Sequence, residues 1–176
     1  QQAERTFATR EALAHYDAAL VAARHLGGGA GDPATLISIH EGKARQYFVI
    51  NEFEQSAAEG ERILPLARLI GNRVKEAGAH ATIAWAAMWC RRDLDAAIRA
   101  GREAIAVAEP AGALAVQARA HLTIGFIRAV TGVRDESHIE VDKAIAISAA
   151  AGDRVYRSLS LTIGGLLRNW TGDYDE

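Results

Sequence analysis

The sequence predicts an all-α fold, a single domain over residues 1–176 in which antiparallel helix pairs stack into a superhelical solenoid. Three observations carry that expectation. A pattern returns about every 40 residues, each unit closes on a glycine, and the segments between alternate between half-polar and nearly all-apolar helical stripes. Segments 17–27, 61–71, 102–112 and 142–152 share one ending, an apolar helical run closed by glycine, which tolerates the left-handed backbone that stops a helix. Gly71, Gly112 and Gly152 are 41 and 40 residues apart. Gly27 stands 44 residues before Gly71, and the glycine-rich turn 27–31 supplies the extra length.

Taken in order, the chain opens on an outer-type helix that ends at Gly27. Each glycine is then followed by a second, more apolar helix: 33–50, 72–91, 113–131 and 153–171. The triplets Thr82-Ile83-Ala84, Thr123-Ile124-Gly125 and Thr162-Ile163-Gly164 recur inside three of them, placing a small residue where a neighbouring helix comes close. Residues 113–131 are apolar nearly all round, as an inner helix flanked on both sides requires. Residues 93–109 set Asp93, Asp95, Arg99, Arg102 and Glu103 against Leu94, Ala97, Ile98 and Ile105, the pattern of an outer, half-solvated helix. Asp93 and Asp173 are placed to cap the helices that follow them. Pro65 falls within the helix expected over 53–70 and predicts a kink there, or two shorter helices. No strand pattern competes.

Composition narrows the function classes. Hydrophobic residues make up 49% and charged residues 24%, so the chain is globular rather than disordered. Abundant alanine, 6% aromatics and three prolines suit closely packed helices. A net charge of −2 without any Lys/Arg run argues against a nucleic-acid surface. Cys90 is the only cysteine, which excludes an internal disulfide, and its apolar surroundings suit a small packed hydrophobe. Residues 1–10 lack a signal-peptide pattern, and no apolar run reaches the roughly 18 residues of a membrane span. The expected location is cytoplasmic, with no membrane partner.

Catalytic motifs are missing from the sequence. It has no phosphate loop, GxGxxG, HExxH, CxxC or Gly-x-Ser-x-Gly elbow, so no catalytic, cofactor-binding or metal residue is assigned. His40, His80 and His121 recur 40 and 41 residues apart on successive inner helices. Equivalent points on stacked helices lie about 8–10 Å apart, too far for a shared metal with ligands at about 2 Å. Glu52 and Glu54, Glu59 and Glu61, and Asp93 and Asp95 are two apart on helices, do not face one another, and read as solvated outer faces. Arg91-Arg92 is placed to close a helix C-terminus against its dipole. The candidate partner-binding set is aromatic: Trp85 and Trp89, four apart on one inner helix with Met88 beside them, and Tyr47 and Phe126 on the adjacent inner helices. Tryptophan and tyrosine are enriched at binding hot spots; the same tryptophans could instead fill the core between repeats.

The closing Gly172-Asp173-Tyr174-Asp175-Glu176, the pairs Ile124-Gly125 and Ile163-Gly164, and the small residues Ala104 and Ala144 resemble the tetratricopeptide repeat, from about Glu11 to the end. The period differs, about 40 here against 34 in that family, and the proline between repeats is absent. The resemblance implies a right-handed superhelix whose inner helices line a groove for a protein or peptide. The stretches 15–27 and 149–153 are further similar to the carboxy-terminal arrays of bacterial signalling ATPases, either class III adenylate/guanylate cyclases with an ATPase module or LuxR/MalT-like activators. What that implies is a regulatory scaffold module, itself no enzyme, of a cyclase-linked signalling protein. The alternatives are the equivalent region of a transcriptional activator or a free-standing peptide-binding adaptor.

The chain opens on an outer-type helix without its inner partner and closes on Tyr174-Asp175-Glu176, the expected start of another helix. A segment of a larger protein is therefore expected, with other domains of the same parent chain as possible partners. Val155, Leu159, Leu166, Leu167 and Trp170 on the last complete helix have no visible cover in the sequence, which predicts a homodimer through that helix.

Overall fold

The computed structural model describes residues 2–26, 31–90 and 93–171. Those residues form eight helices and no strand: α1 (Gln2–Leu26), α2 (Pro33–Val49), α3 (Phe53–Leu69), α4 (Arg73–Cys90), α5 (Leu94–Ala108), α6 (Leu114–Val130), α7 (Arg134–Ala150) and α8 (Arg154–Thr171). The inner helices start and stop within about a residue of the expected positions, because the signals that set their ends are local. Gly27, the Arg91-Arg92 pair and the closing 172–176 segment lie outside the described residues.

One turn recurs five times. Asn72 N–H donates to Ala67 C=O (2.9 Å) and Gly71 N–H to Arg68 C=O (3.1 Å), with Gly71 at φ 65°. This is the Schellman arrangement, which satisfies the last free carbonyls of a helix. The same pair of bonds closes α5 at Gly112, α6 at Gly132 and α7 at Gly152, and it closes α2 at Asn51, the one non-glycine with positive φ among the described residues. Starts are capped as locally. Asp32 accepts from Thr35 N–H (2.8 Å) ahead of Pro33, Asn72 from Lys75 (3.0 Å), Asp93 from Ala96 (2.7 Å) and Asp153 from Tyr156 (3.0 Å).

Each helix packs on the next in sequence, and each even-numbered helix also touches the next even-numbered one. Among the described residues the odd-numbered helices do not touch each other. The even helices therefore make a continuous layer and the odd helices a second, interrupted one. Burial follows: α6 hides nine residues, including the run from Ala120 to Gly125, whereas α5 hides Ala97, Ile98, Gly101, Ala104, Val107 and Ala108 along one stripe. At Gly125 an added Cβ would lie 2.7 Å from Val141 Cγ2 and 3.2 Å from Ser137 O, so the small residue sets the α6–α7 approach. Gly60 and Gly101 do the same from the odd helices, against Ile83 (2.9 Å) and Ile124 (3.0 Å).

Pro65 does not divide α3, which runs unbroken from Phe53 to Leu69. Both Pro65 and Glu61, whose carbonyl loses its donor, are on the exposed side of the helix, where losing that bond costs least. A second expectation is corrected at Glu59. It is not on a solvated face but 1% exposed, because it shares the α3 face of Ser56, Gly60 and Ile63, all of them buried. A third correction concerns α8. Leu167 is buried with Val141, Ala144 and Ile163, and Leu159 is half-buried against the same cluster, since α7 packs along that side. Val155 and Leu166 remain exposed, at 74% and 49%.

Candidate functional site

Along the even-numbered layer runs a groove of about 660 Å3 to which α2, α4, α6 and α8 all contribute, with Ser56 and Ile63 of α3 also lining it. On α4 the lining residues Lys75, Gly78, Thr82 and Trp85 fall at helical spacing along one face. Glu41, Arg45 and Phe48 form the matching stripe of α2, Ala115, Val116 and Arg119 that of α6, and Val155, Tyr156 and Leu159 that of α8. The repeat brings these together. Lys75, Ala115 and Tyr156 are separated by 40 and 41 residues and occupy the same turn of three successive inner helices.

Three cations and one carboxylate face this groove. Lys75 Nζ bridges to Glu41 across the α2–α4 contact, at 2.7 and 2.9 Å from its two oxygens. Arg119 donates to the backbone carbonyl of Gly78 (2.8 Å) and reaches Thr82 Oγ1 (3.4 Å), both neutral acceptors. Arg45 is exposed and makes no ion pair among the described residues. A Cβ added at Gly78 would meet nothing within 4 Å, so neither packing nor a positive φ calls for glycine there. Its effect is to leave open space beside Arg119 and Thr82.

Of the five residues proposed from sequence, only Trp85 lines the groove. Trp89 continues the α4 stripe one turn further, is 40% exposed, and joins a run of rings: Phe53 at 5.9 Å, Trp85 at 6.2 Å and Phe126 at 6.1 Å between centroids. Phe126 packs into the core clusters around Leu122 and Ile127. Met88 is 4% exposed, packed in the core against Ala97 and Ile98 of α5 and Ile127 of α6. Tyr47 sits under the Lys43 ammonium, 5.8 Å from its ring centre. Lys75, Gly78, Arg119 and Tyr156 were missed by sequence reasoning. Two registers legible from the repeat, Lys75 with Tyr156 and Gly78 with Arg119, were the available signal.

The histidines form a different structure from a ladder. His40 Nδ1 meets Glu59 Oε2 at 2.5 Å, and His121 Nδ1 meets Glu140 Oε2 at 2.6 Å, each 19 residues on in sequence. A second repeated bond runs with them, Ser56 Oγ to Ala44 C=O (2.9 Å) and Ser137 Oγ to Gly125 C=O (2.8 Å), each spanning 12 residues. Burial pushes the Glu59 carboxyl up, but the His40 hydrogen bond and the charges of Lys43 and Arg62 outweigh it and hold it below the ordinary range. Glu140 follows the same logic with His121 and Lys143. In the middle unit no carboxylate hydrogen-bonds His80, since Arg99 and Ala100 stand 19 and 20 residues on, and burial pushes its ring towards the neutral form. These pairs join inner to outer helices. A smaller cavity of about 380 Å3 borders His121, Glu140, Arg102 and Glu136, and no hydroxyl or thiol nucleophile lines it.

No protein-family model matches the chain, and no curated protein sequence is significantly similar to it. Among solved structures the chain is similar to BtubC (BKLC) from P. vanneervenii, with a TM-score of 0.67 and 18% identity over 96% of this chain and 76% of that one. At that identity the likeness shows a shared helical fold. No described helix is long and apolar enough to cross a membrane.

Proposed function

We propose that the chain is a right-handed, tetratricopeptide-like solenoid acting as a cytoplasmic protein-interaction and regulatory scaffold, with the groove between its even-numbered helices as the seat of a peptide or partner helix. The observation that carries this reading is the shared groove itself. Four helices separated in sequence by a full repeat each contribute one stripe to a groove of about 660 Å3, inside the roughly 300–1,000 Å3 range of ligand clefts. Phe48, Trp85 and Tyr156 supply rigid aromatic anchors on it. The lining favours binding over catalysis. The one lysine and the one carboxylate of that lining are tied to each other, and no histidine or cysteine lines it beside its hydroxyls, Ser56, Thr82 and Tyr156.

The wider context of this reading is a bacterial signalling protein, a cyclase with an ATPase module before a LuxR/MalT-like activator. It rests on the resemblance of the 15–27 and 149–153 motifs. The flanking gene sequence tests it: a nucleotidyl-cyclase domain upstream supports the first, a helix-turn-helix downstream the second, and closely bracketing start and stop codons a free-standing adaptor. The groove is tested with a photo-crosslinking residue at Tyr156 and, for comparison, at the exposed Ala146 of α7. Partner adducts at position 156 that disappear when Gly78→Leu fills the floor support the assignment. Equal adducts at both positions refute it.

A further inference from the structure

The balance of charge in the groove is opposite to that of the molecule. The chain carries a net −2, yet the lining holds Arg45, Lys75 and Arg119 against Glu41 alone. Those cations are not equally engaged. Arg45 has no ion pair among the described residues, and Arg119 bonds only neutral oxygens, so both charges are uncompensated. Lys75 alone has an anion, the half-exposed Glu41, held through both of its oxygens. A basic occupant would add further positive charge to the three cations already present. A neutral one would strip water from two guanidinium groups without replacing it. An acidic one meets Arg45 and Arg119 directly, in a cleft whose low-dielectric walls strengthen the attraction. Phe48, Trp85, Val155 and Leu159 around those charges ask for bulky apolar side chains beside the acids.

We infer that the groove takes an acidic peptide segment flanked by large apolar residues, and that Glu41 holds Lys75 in the ligand-free chain in place of a ligand carboxylate. This deepens the groove assignment and rests on it. Glu41 is then a competitor rather than a contact. Removing its charge frees Lys75 for the ligand, so Glu41→Gln strengthens binding, whereas a structural ion pair would leave binding unchanged or weakened.

The test is selection of a displayed library of random dodecapeptides on the whole chain, with Gly78→Leu as the blocked control. Ala115→Trp, at an exposed position on the same lining, serves as a second block should Gly78→Leu not fold by far-ultraviolet circular dichroism. The expected winners carry two or more Asp or Glu beside bulky apolar residues, and lose enrichment on the blocked chains. For the best peptide, fluorescence anisotropy is expected to show Glu41→Gln binding about two- to fivefold tighter, the scale of an exposed ion pair. Arg119→Gln is expected to bind about tenfold weaker or more. Basic or uncharged winners that the blocks abolish overturn the acidic inference and leave the groove standing. Weaker binding by Glu41→Gln overturns the competitor role. Winners indifferent to both blocks, or no enrichment at all, overturn the groove as the binding site.

Discussion

The same substitution, glycine to alanine, should move stability in opposite directions at two positions on inner helices. In a helix interior alanine is favoured over glycine by about 0.8–1.0 kcal/mol. At Gly78 the new methyl meets nothing within 4 Å, so that preference is felt nearly undiminished. At Gly125 the methyl would lie 2.7 Å from Val141 Cγ2 and 3.2 Å from both Ser137 O and Val141 N. Two of those three atoms are backbone, so α7 itself must shift, and the Ser137 Oγ bond to the Gly125 carbonyl (2.8 Å) is disturbed with it. Overpacking costs about 1–3 kcal/mol and a bent hydrogen bond roughly 1 kcal/mol at most. After subtracting the propensity gain, Gly125→Ala is expected to destabilise by about 1–2 kcal/mol, while Gly78→Ala stabilises by about 0.5–1 kcal/mol. For a chain of this size each kcal/mol moves the thermal midpoint by about 2–4 °C. The two variants should therefore melt roughly 5–10 °C apart by circular dichroism, with the wild type between. Equal shifts, or a Gly78→Ala that melts below the wild type, would refute the close approach at α6–α7 and the open floor at α4.

Further expectations follow from burial and charge. Because the Glu59 and Glu140 carboxyls are held below their ordinary 4.5 in the folded chain, the stability they carry is intact above that value and is lost as the pH falls through their folded values. Glu59→Gln should flatten the acid limb of a stability–pH profile and cost about 3 kcal/mol at neutral pH; an unchanged acid limb would remove Glu59 from that role. Ser160 is fully buried with its hydroxyl unpaired, so Ser160→Ala should be neutral or stabilising by about 1 kcal/mol in urea denaturation; a loss of stability would mean the hydroxyl has a partner. On α8, Val155, Leu161 and Leu166 are 74%, 51% and 49% exposed. Self-association through that helix predicts a mass that rises with concentration in light scattering and falls to the monomer in Leu161→Glu/Leu166→Glu; a concentration-independent monomer mass in the unaltered chain would exclude it.

What the sequence determined on its own was everything governed by neighbours in the chain. Gly71, Gly112 and Gly152 close their helices because a left-handed residue followed by a reverse bond is a property of five or six consecutive positions, and Asp93 opens α5 for the same kind of reason. The alternation of apolar content separated inner from outer helices, because a helix with neighbours on two sides must be apolar on two sides. Pro65 shows the limit of local reasoning: its cost depends on which side of α3 faces water, and only packing fixes that. Glu59 shows it more sharply. Its neighbour Glu61 is exposed while Glu59 is buried, and what makes burial tolerable is His40 on one helix and Lys43 one turn later, 19 and 16 residues back in the chain. The groove is decided at the same level. Trp85 could be singled out as a large aromatic, but Gly78 and Arg119 carry no local mark of function. They belong to the site because stacking at a 40-residue period brings one face of four helices to a common surface, and charge that is unremarkable along the chain becomes concentrated there.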